Sequence, residues 1–151
     1  MKISIGCDHA GFDVAKTIIS FLNDSGYEVD NQGCHSSESV DYPIFGKKVA
    51  QSILEGKVDR GIIICGTGIG ISIAANREPS VRAALVHDEL TAMMARAHND
   101  ANVMAIGARV TNQEIARNCL KTFFSTSFEG GRHIKRVAKL TSSNSISGNN
   151  K

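Results

Sequence analysis

Short apolar runs alternate along the chain with longer segments whose apolar positions recur every three or four residues. This alternation predicts an α/β protein around a mainly parallel sheet. The short runs place strands over 2–7, 28–32, 61–65, 82–86 and 103–106. Phe12, Ala15, Ile18, Ile19 and Leu22 mark one face of a first helix, with Gly26 behind it as a C-cap. A second helix carries Phe45, Val49, Ile53 and Leu54 and stops near Gly56. A short helix is predicted after the glycine-rich stretch 66–70, others over 88–97 and 112–124, and a last one from Gly130-Gly131 to Leu140. The Ser/Asn/Gly-rich segment 141–151 reads as a disordered polar tail, which leaves a single domain over 1–140 without repeat or linker.

Composition narrows the class. The 151 residues are 42% hydrophobic and carry a formal net charge of +2, ordinary for one globular core and too weakly basic for a nucleic-acid partner. No apolar run is long enough to span a membrane, so no membrane partner is expected. Cys7, Cys34, Cys65 and Cys119 show neither CxxC pairs nor zinc-finger spacing, which predicts reduced thiols and a cytoplasmic location.

In open parallel sheets, ligands bind beyond the carboxyl ends of the strands, where the winding changes direction. Two predicted strands end in unusual residues. The first runs into Asp8-His9-Ala10-Gly11, the third into Cys65-Gly66-Thr67-Gly68-Ile69-Gly70. The second motif is neither a dinucleotide fingerprint, since Ile71 stands where a third glycine is needed, nor a Walker loop, since no Gly-Lys-Ser/Thr follows. It suits a cradle of backbone N–H groups for an anion at a helix start, and equally a tight strand-to-helix turn. Cys65 directly before it suits a thiolate base or nucleophile, and equally a buried structural cysteine ending the run Ile62-Ile63-Ile64.

His98-Asn99-Asp100 follows an alanine- and methionine-rich helix and, on its own, is a polar helix exit. In a parallel sheet that helix returns toward the strands' amino ends, so His98 is predicted opposite Cys65. If both serve one site, a partner subunit must supply His98, and a homodimer with shared active sites is the resulting expectation. Arg132 and Arg136, one helical turn apart, form either a solvated basic face or a phosphate clamp without local acidic partners, which Arg109 could join. Asp8 with His9, and His98 with Asp100, offer metal ligands, but no spacing supplies three from rigid elements, and no metal or other cofactor is expected.

The segments Gly6-Cys7-Asp8-His9-Ala10-Gly11, Asp41-Tyr42-Pro43, the run from Cys65 to Asn76, His98-Asn99-Asp100-Ala101-Asn102-Val103 and Glu129-Gly130-Gly131-Arg132-His133 stand in one order along the chain. Together they resemble the family of type B ribose-5-phosphate isomerases and galactose-6-phosphate isomerase subunits, from Lys2 to about Val137. The resemblance implies a three-layer α/β/α sandwich with a five-stranded parallel sheet, Rossmann-like, in the order 2-1-3-5-4. It also implies a dimer with active sites across the interface, and assembly into a dimer of dimers stays open. Cys65 would move a proton between C1 and C2 of an open-chain sugar phosphate through an enediolate. Thr67 and the amides of Gly66, Gly68, Ile69 and Gly70 would stabilise the oxyanion. His98 would assist opening of the furanose ring, Asp8, His9 and Asn99 would hold sugar hydroxyls, and Arg109, Arg132 and Arg136 the phosphate or its neighbourhood. Some members carry a glutamate base at the position of Ile71, so this sequence groups with the cysteine type.

The expected reaction is interconversion of D-ribose 5-phosphate and D-ribulose 5-phosphate, a step of the non-oxidative pentose phosphate pathway. Galactose 6-phosphate or allose 6-phosphate is the alternative substrate, and a non-catalytic nucleotide-binding or receiver-like module is the alternative of another class.

Overall fold

A computed structural model describes residues 1–141. Five strands, β1 (Lys2–Cys7), β2 (Glu28–Asn31), β3 (Arg60–Cys65), β4 (Ala83–Leu85) and β5 (Val103–Gly107), form one parallel sheet in the order β2-β1-β3-β5-β4. Ile62, Ile63 and Ile64 of β3 are all fully buried, as a central strand covered on both faces requires. Helices α2 (Tyr42–Leu54) and α3 (Ile69–Ala75) pack together on one face. On the other lie α1 (Phe12–Asp24), α4 (Glu89–Asn99) and α5 (Gln113–Ser125), with α6 (Arg132–Thr141) against α4. This is the three-layer α/β/α sandwich expected, with one continuous core around the sheet.

Local chemistry sets the helix ends. The side chain of Asp88 accepts from Thr91 N–H at 2.7 Å and that of Asn112 from Ile115 N–H at 2.9 Å, satisfying N–H groups that α4 and α5 leave unpaired. Pro43 sits in the first turn of α2, where its missing N–H costs no helical bond. Gly26, at φ 80°, takes the left-handed conformation that closes α1.

Several boundaries move. The second strand ends at Asn31 and the fourth is trimmed to Ala83–Leu85. α3 begins at Ile69, inside the glycine stretch rather than after it. His98 and Asn99 form the last turn of α4 instead of following the helix. A 3-10 turn, His9–Gly11, precedes α1. Thr141 closes α6, so the predicted tail loses its first residue, and its remainder, 142–151, lies outside the described residues. No helix among the described residues is long and apolar enough to cross a membrane.

Candidate active site

The chain leaves β1 toward β2 and leaves β3 toward β4, so the winding reverses between β1 and β3 and opens a crevice beyond their carboxyl ends. Asp8 and Cys65, the residues at those two ends, line one cavity of about 570 Å³ with His9, Gly66, Thr67, Ile69, Gly70 and Arg109. Gly68 lies just beneath the lining. At φ 78° it adopts a left-handed turn, and a Cβ there would lie 2.5 Å from Leu85 Cδ1 and 2.9 Å from the Ile106 carbonyl carbon. Only glycine fits this turn over β5.

That turn aims the Gly68 N–H at the Cys65 sulfur, N to Sγ 3.2 Å, the polarity of bond a thiolate accepts. Thr67 Oγ1 accepts from Ile69 N–H at 3.3 Å. Two amides of the predicted cradle are thus engaged within the loop. Arg109 arrives because the loop after β5 zips onto this one, Ala108 N–H to Cys65 O at 2.8 Å and Arg109 N–H to Gly66 O at 3.0 Å. Its guanidinium lies over Gly66, within 3.2 Å of where a Cβ would stand.

Asp8, 4% exposed, is anchored by its own N–H to Ile64 O at 3.2 Å, while its Oδ1 accepts from Gly11 N–H at 3.1 Å. Val40 N–H donates to His9 Nδ1 at 3.2 Å, which puts the ring proton of a neutral imidazole on Nε2. Cys7, one residue before Asp8, is of a different kind from Cys65. Burial, with the Cys34 thiol beside it, pushes its pKa up to about 12, and burial pushes Cys119 up to about 11. Both are held as unreactive thiols.

The other predicted residues lie elsewhere in the same chain. His98 and Asn99, at the end of α4, sit beside the amino end of β5. The five residues of β5 separate that edge from the carboxyl edge of the sheet by about 16 Å. Asn99 lines a separate cavity of about 320 Å³ with Asn76, Arg82 and Leu140. The turn after it, with Asp100 at φ 45°, is gripped by two guanidinium groups. Arg96 Nη1 reaches Asp100 Oδ1 at 2.8 Å and Arg82 Nη2 reaches Oδ2 at 2.9 Å. Asp100 is therefore spoken for as an ion-pair partner rather than a metal ligand beside His98.

Arg132 and Arg136 lie on α6 against α4, and Arg109 does not join them within one chain. Nor is Arg132 without a local partner, since its Nε lies 3.5 Å from His133 Nε2. Sequence reasoning missed the company His98 keeps. Its ring stacks on that of His133, centroids 4.3 Å apart, and Glu129 approaches both. The ligand atoms of these three lie within 4.8 Å of one another, a set that no spacing had suggested. Tyr42, Ala10 and Ile73, which complete the lining of the Cys65 cavity, were also missed as site residues. The Tyr42 ring occupies the space a Cβ on Gly70 would need, at 2.5 Å, and an aromatic directly before the proline of a helix start was the available signal.

With the geometry in place, the comparisons with known proteins agree. The family described as Ribose/Galactose Isomerase matches residues 3–140. The chain is 44% identical to ribose-5-phosphate isomerase B of Escherichia coli over 140 residues, covering 93% of this chain and 94% of that one. A solved ribose-5-phosphate isomerase B of Clostridium thermocellum superimposes with a TM-score of 0.92 at 50% identity, covering 93% and 95% of the two chains. Galactose-6-phosphate isomerase subunit LacB of Clostridium acetobutylicum is 38% identical, covering 92% of this chain and 80% of that one. The chain is an enzyme that belongs to the ribose/galactose isomerase family.

Proposed function

We propose that the chain interconverts D-ribose 5-phosphate and D-ribulose 5-phosphate in the cytoplasm, as a step of the non-oxidative pentose phosphate pathway, with one catalytic domain over 1–140. The observation that carries this reading is Cys65 at the end of β3. It lines a cavity shared with Asp8, His9 and Arg109 and accepts a backbone N–H on its sulfur. Four unpaired cysteines support a reducing compartment.

In this mechanism the Cys65 thiolate removes the proton from C2 of the open-chain aldose. The C2–H electron pair forms the C1=C2 bond as the carbonyl pair moves onto O1. The thiol returns the proton to C1, O2 passes its own proton to the O1 oxyanion, and C2 becomes the carbonyl carbon of the ketose, with O1 left as a hydroxyl. Since the amides of Gly68 and Ile69 already serve Cys65 and Thr67, the oxyanion takes its donors from Gly66, Gly70 and the Thr67 hydroxyl. Asp8, through Oδ2, and His9, through Nε2, hold hydroxyls, and Arg109 borders the same cavity.

His98, Asn99, Arg132 and Arg136 enter this site from a second subunit, His98 to open the furanose ring and the arginines to take the phosphate. The separation of the two groups within one chain is what supports a shared-site homodimer. No step here calls on a metal.

The test is conversion of ribose 5-phosphate by the purified protein in excess EDTA, beside Cys65→Ala. Turnover by the wild type and its loss by several orders of magnitude in the variant is expected. An active variant would remove Cys65 as base, and abolition by EDTA would reinstate a metal. The relative with a galactose 6-phosphate name favours six-carbon phosphates as the second reading. A higher kcat/KM on galactose 6-phosphate or allose 6-phosphate would select it.

A further inference from the structure

The Glu129 carboxylate stands between two imidazoles. Its Oε2 lies 3.6 Å from Nε2 of His98 and 3.6 Å from Nε2 of His133. Its backbone is pinned to the end of α4, Glu129 N–H to Ala97 O at 3.0 Å, so the acid is tied to the helical turn that carries His98. The His98 and His133 planes are within 10° of parallel. Stacked rings point their nitrogen lone pairs alongside one another rather than toward a common centre. Arg132 and Arg136 also flank the pair, and their charge opposes a cation. With Nε2 of His133 turned to the Arg132 Nε–H and the carboxylate 3.6 Å from each ring, the arrangement suits a counter-charge for one imidazolium better than a metal ion.

We propose that Glu129 is the positioning residue of His98, supplying the counter-charge for its imidazolium and turning Nε2 inward, so that Nδ1 is presented to the sugar ring. The inference rests on the ring-opening role given to His98 above. In that step the C1–O4 bond breaks with its electron pair going to O4, which takes the proton from Nδ1. The O1 hydroxyl proton leaves to solvent as the C1 carbonyl forms, and solvent reprotonates His98.

The charged and titratable groups facing His98 are Glu129 from the preceding loop and His133 from α6, and His133 is in turn flanked by the charges of Arg132 and Arg136. On its own helix Arg96 is paired to Asp100, which Arg82, just ahead of β4, also holds. Burial first, then His98 and the two arginines, holds His133 below the usual imidazole range. His133 is thus the neutral plate of the stack, and among the described residues Glu129 is the acid that approaches His98.

The experiment compares wild type, Glu129→Gln and Glu129→Asp as assembled enzyme, with two readouts. One is kcat/KM for ribose 5-phosphate across pH. The other is deuterium exchange at C1 of ribulose 5-phosphate, which is acyclic because its O5 carries the phosphate. Glu129→Gln is expected to lower kcat/KM roughly three- to tenfold near neutral pH, the size of a partly exposed ion pair, and to move the alkaline limb of the profile to lower pH. C1 exchange should stay within about twofold, because enolisation needs no ring opening. Glu129→Asp should recover part of the loss. An unchanged profile, or equal loss of conversion and exchange at every pH, overturns the proposal. If wild type neither converts nor exchanges, the substrate reading itself has failed, a result distinct from failure of the Glu129 role.

Discussion

At the residue scale, four buried cysteines of one chemical type are separated by their surroundings. Cys65 takes a backbone N–H on its sulfur at the edge of a cavity, whereas Cys7 is enclosed beside Cys34, with its proton held up to about pH 12. Iodoacetamide at pH 8 is therefore expected to alkylate Cys65 first, with activity lost in proportion. Peptide mapping that finds Cys7 or Cys119 modified ahead of Cys65 would contradict this. The same difference has a consequence for stability. The folded state holds the Cys7 proton more tightly than the unfolded chain, where a thiol ionises at about 8.5. Its contribution is present in full below that pH and is lost as pH rises toward about 12. The urea midpoint should fall from pH 8 to pH 10.5, and fall less in Cys7→Ala. The sequence alone left Cys65 undecided between base and core residue, because both readings put a cysteine after three isoleucines. What the structure adds in favour of the proposed base is a hydrogen bond made by a residue three positions on, Gly68 N–H to the Cys65 sulfur.

At the scale of elements, the loop from Gly66 to Gly70 works because its glycines let the chain pass close over β5 and under Tyr42. Gly68→Ala puts a β-carbon at φ 78° into the Ile106 backbone, which cannot yield as a side-chain tip can. Gly26→Ala introduces the same conformation at φ 80° with no atom within 4 Å of the new carbon. Gly26→Ala should cost only the left-handed penalty, about 1 kcal/mol, with activity intact. Gly68→Ala should cost more and release the amide from Cys65, measured as urea unfolding beside turnover. Equal cost and full activity in both variants would show that the loop tolerates displacement. The element order was legible because apolar period and turn residues are local properties. The start of α3 inside the glycine stretch, and the extension of α4 through Asn99, were not legible. Packing of Ile71 against Gly46 stabilises the former, and the grip of Arg82 and Arg96 on Asp100 fixes the turn that ends the latter.

At the scale of the whole molecule, the predicted site falls into two groups at opposite edges of the sheet, and complementation between variants tests whether a dimer reunites them. Cys65→Ala and His98→Asn homodimers should both be impaired. Mixed and allowed to exchange subunits, they should recover up to about a quarter of wild-type turnover, since half the dimers are hybrids and each hybrid has one intact shared site. No recovery, with hybrids shown to form, would place Cys65 and His98 function within one chain. The sequence by itself determined the alternation of strands and helices, the strand ends that carry Asp8 and Cys65, and the separation of His98 from Cys65. Each follows from the period of apolar residues and the direction a crossover helix must run. Tertiary structure alone decided the rest. It brought Arg109 to Cys65 rather than to Arg132 and Arg136, laid Tyr42 over Gly70, and gathered Glu129 and His133 around His98. These are contacts between residues distant in the chain or set by the bend of a loop. No local period encodes them, because they arise only when separate elements are packed against one sheet.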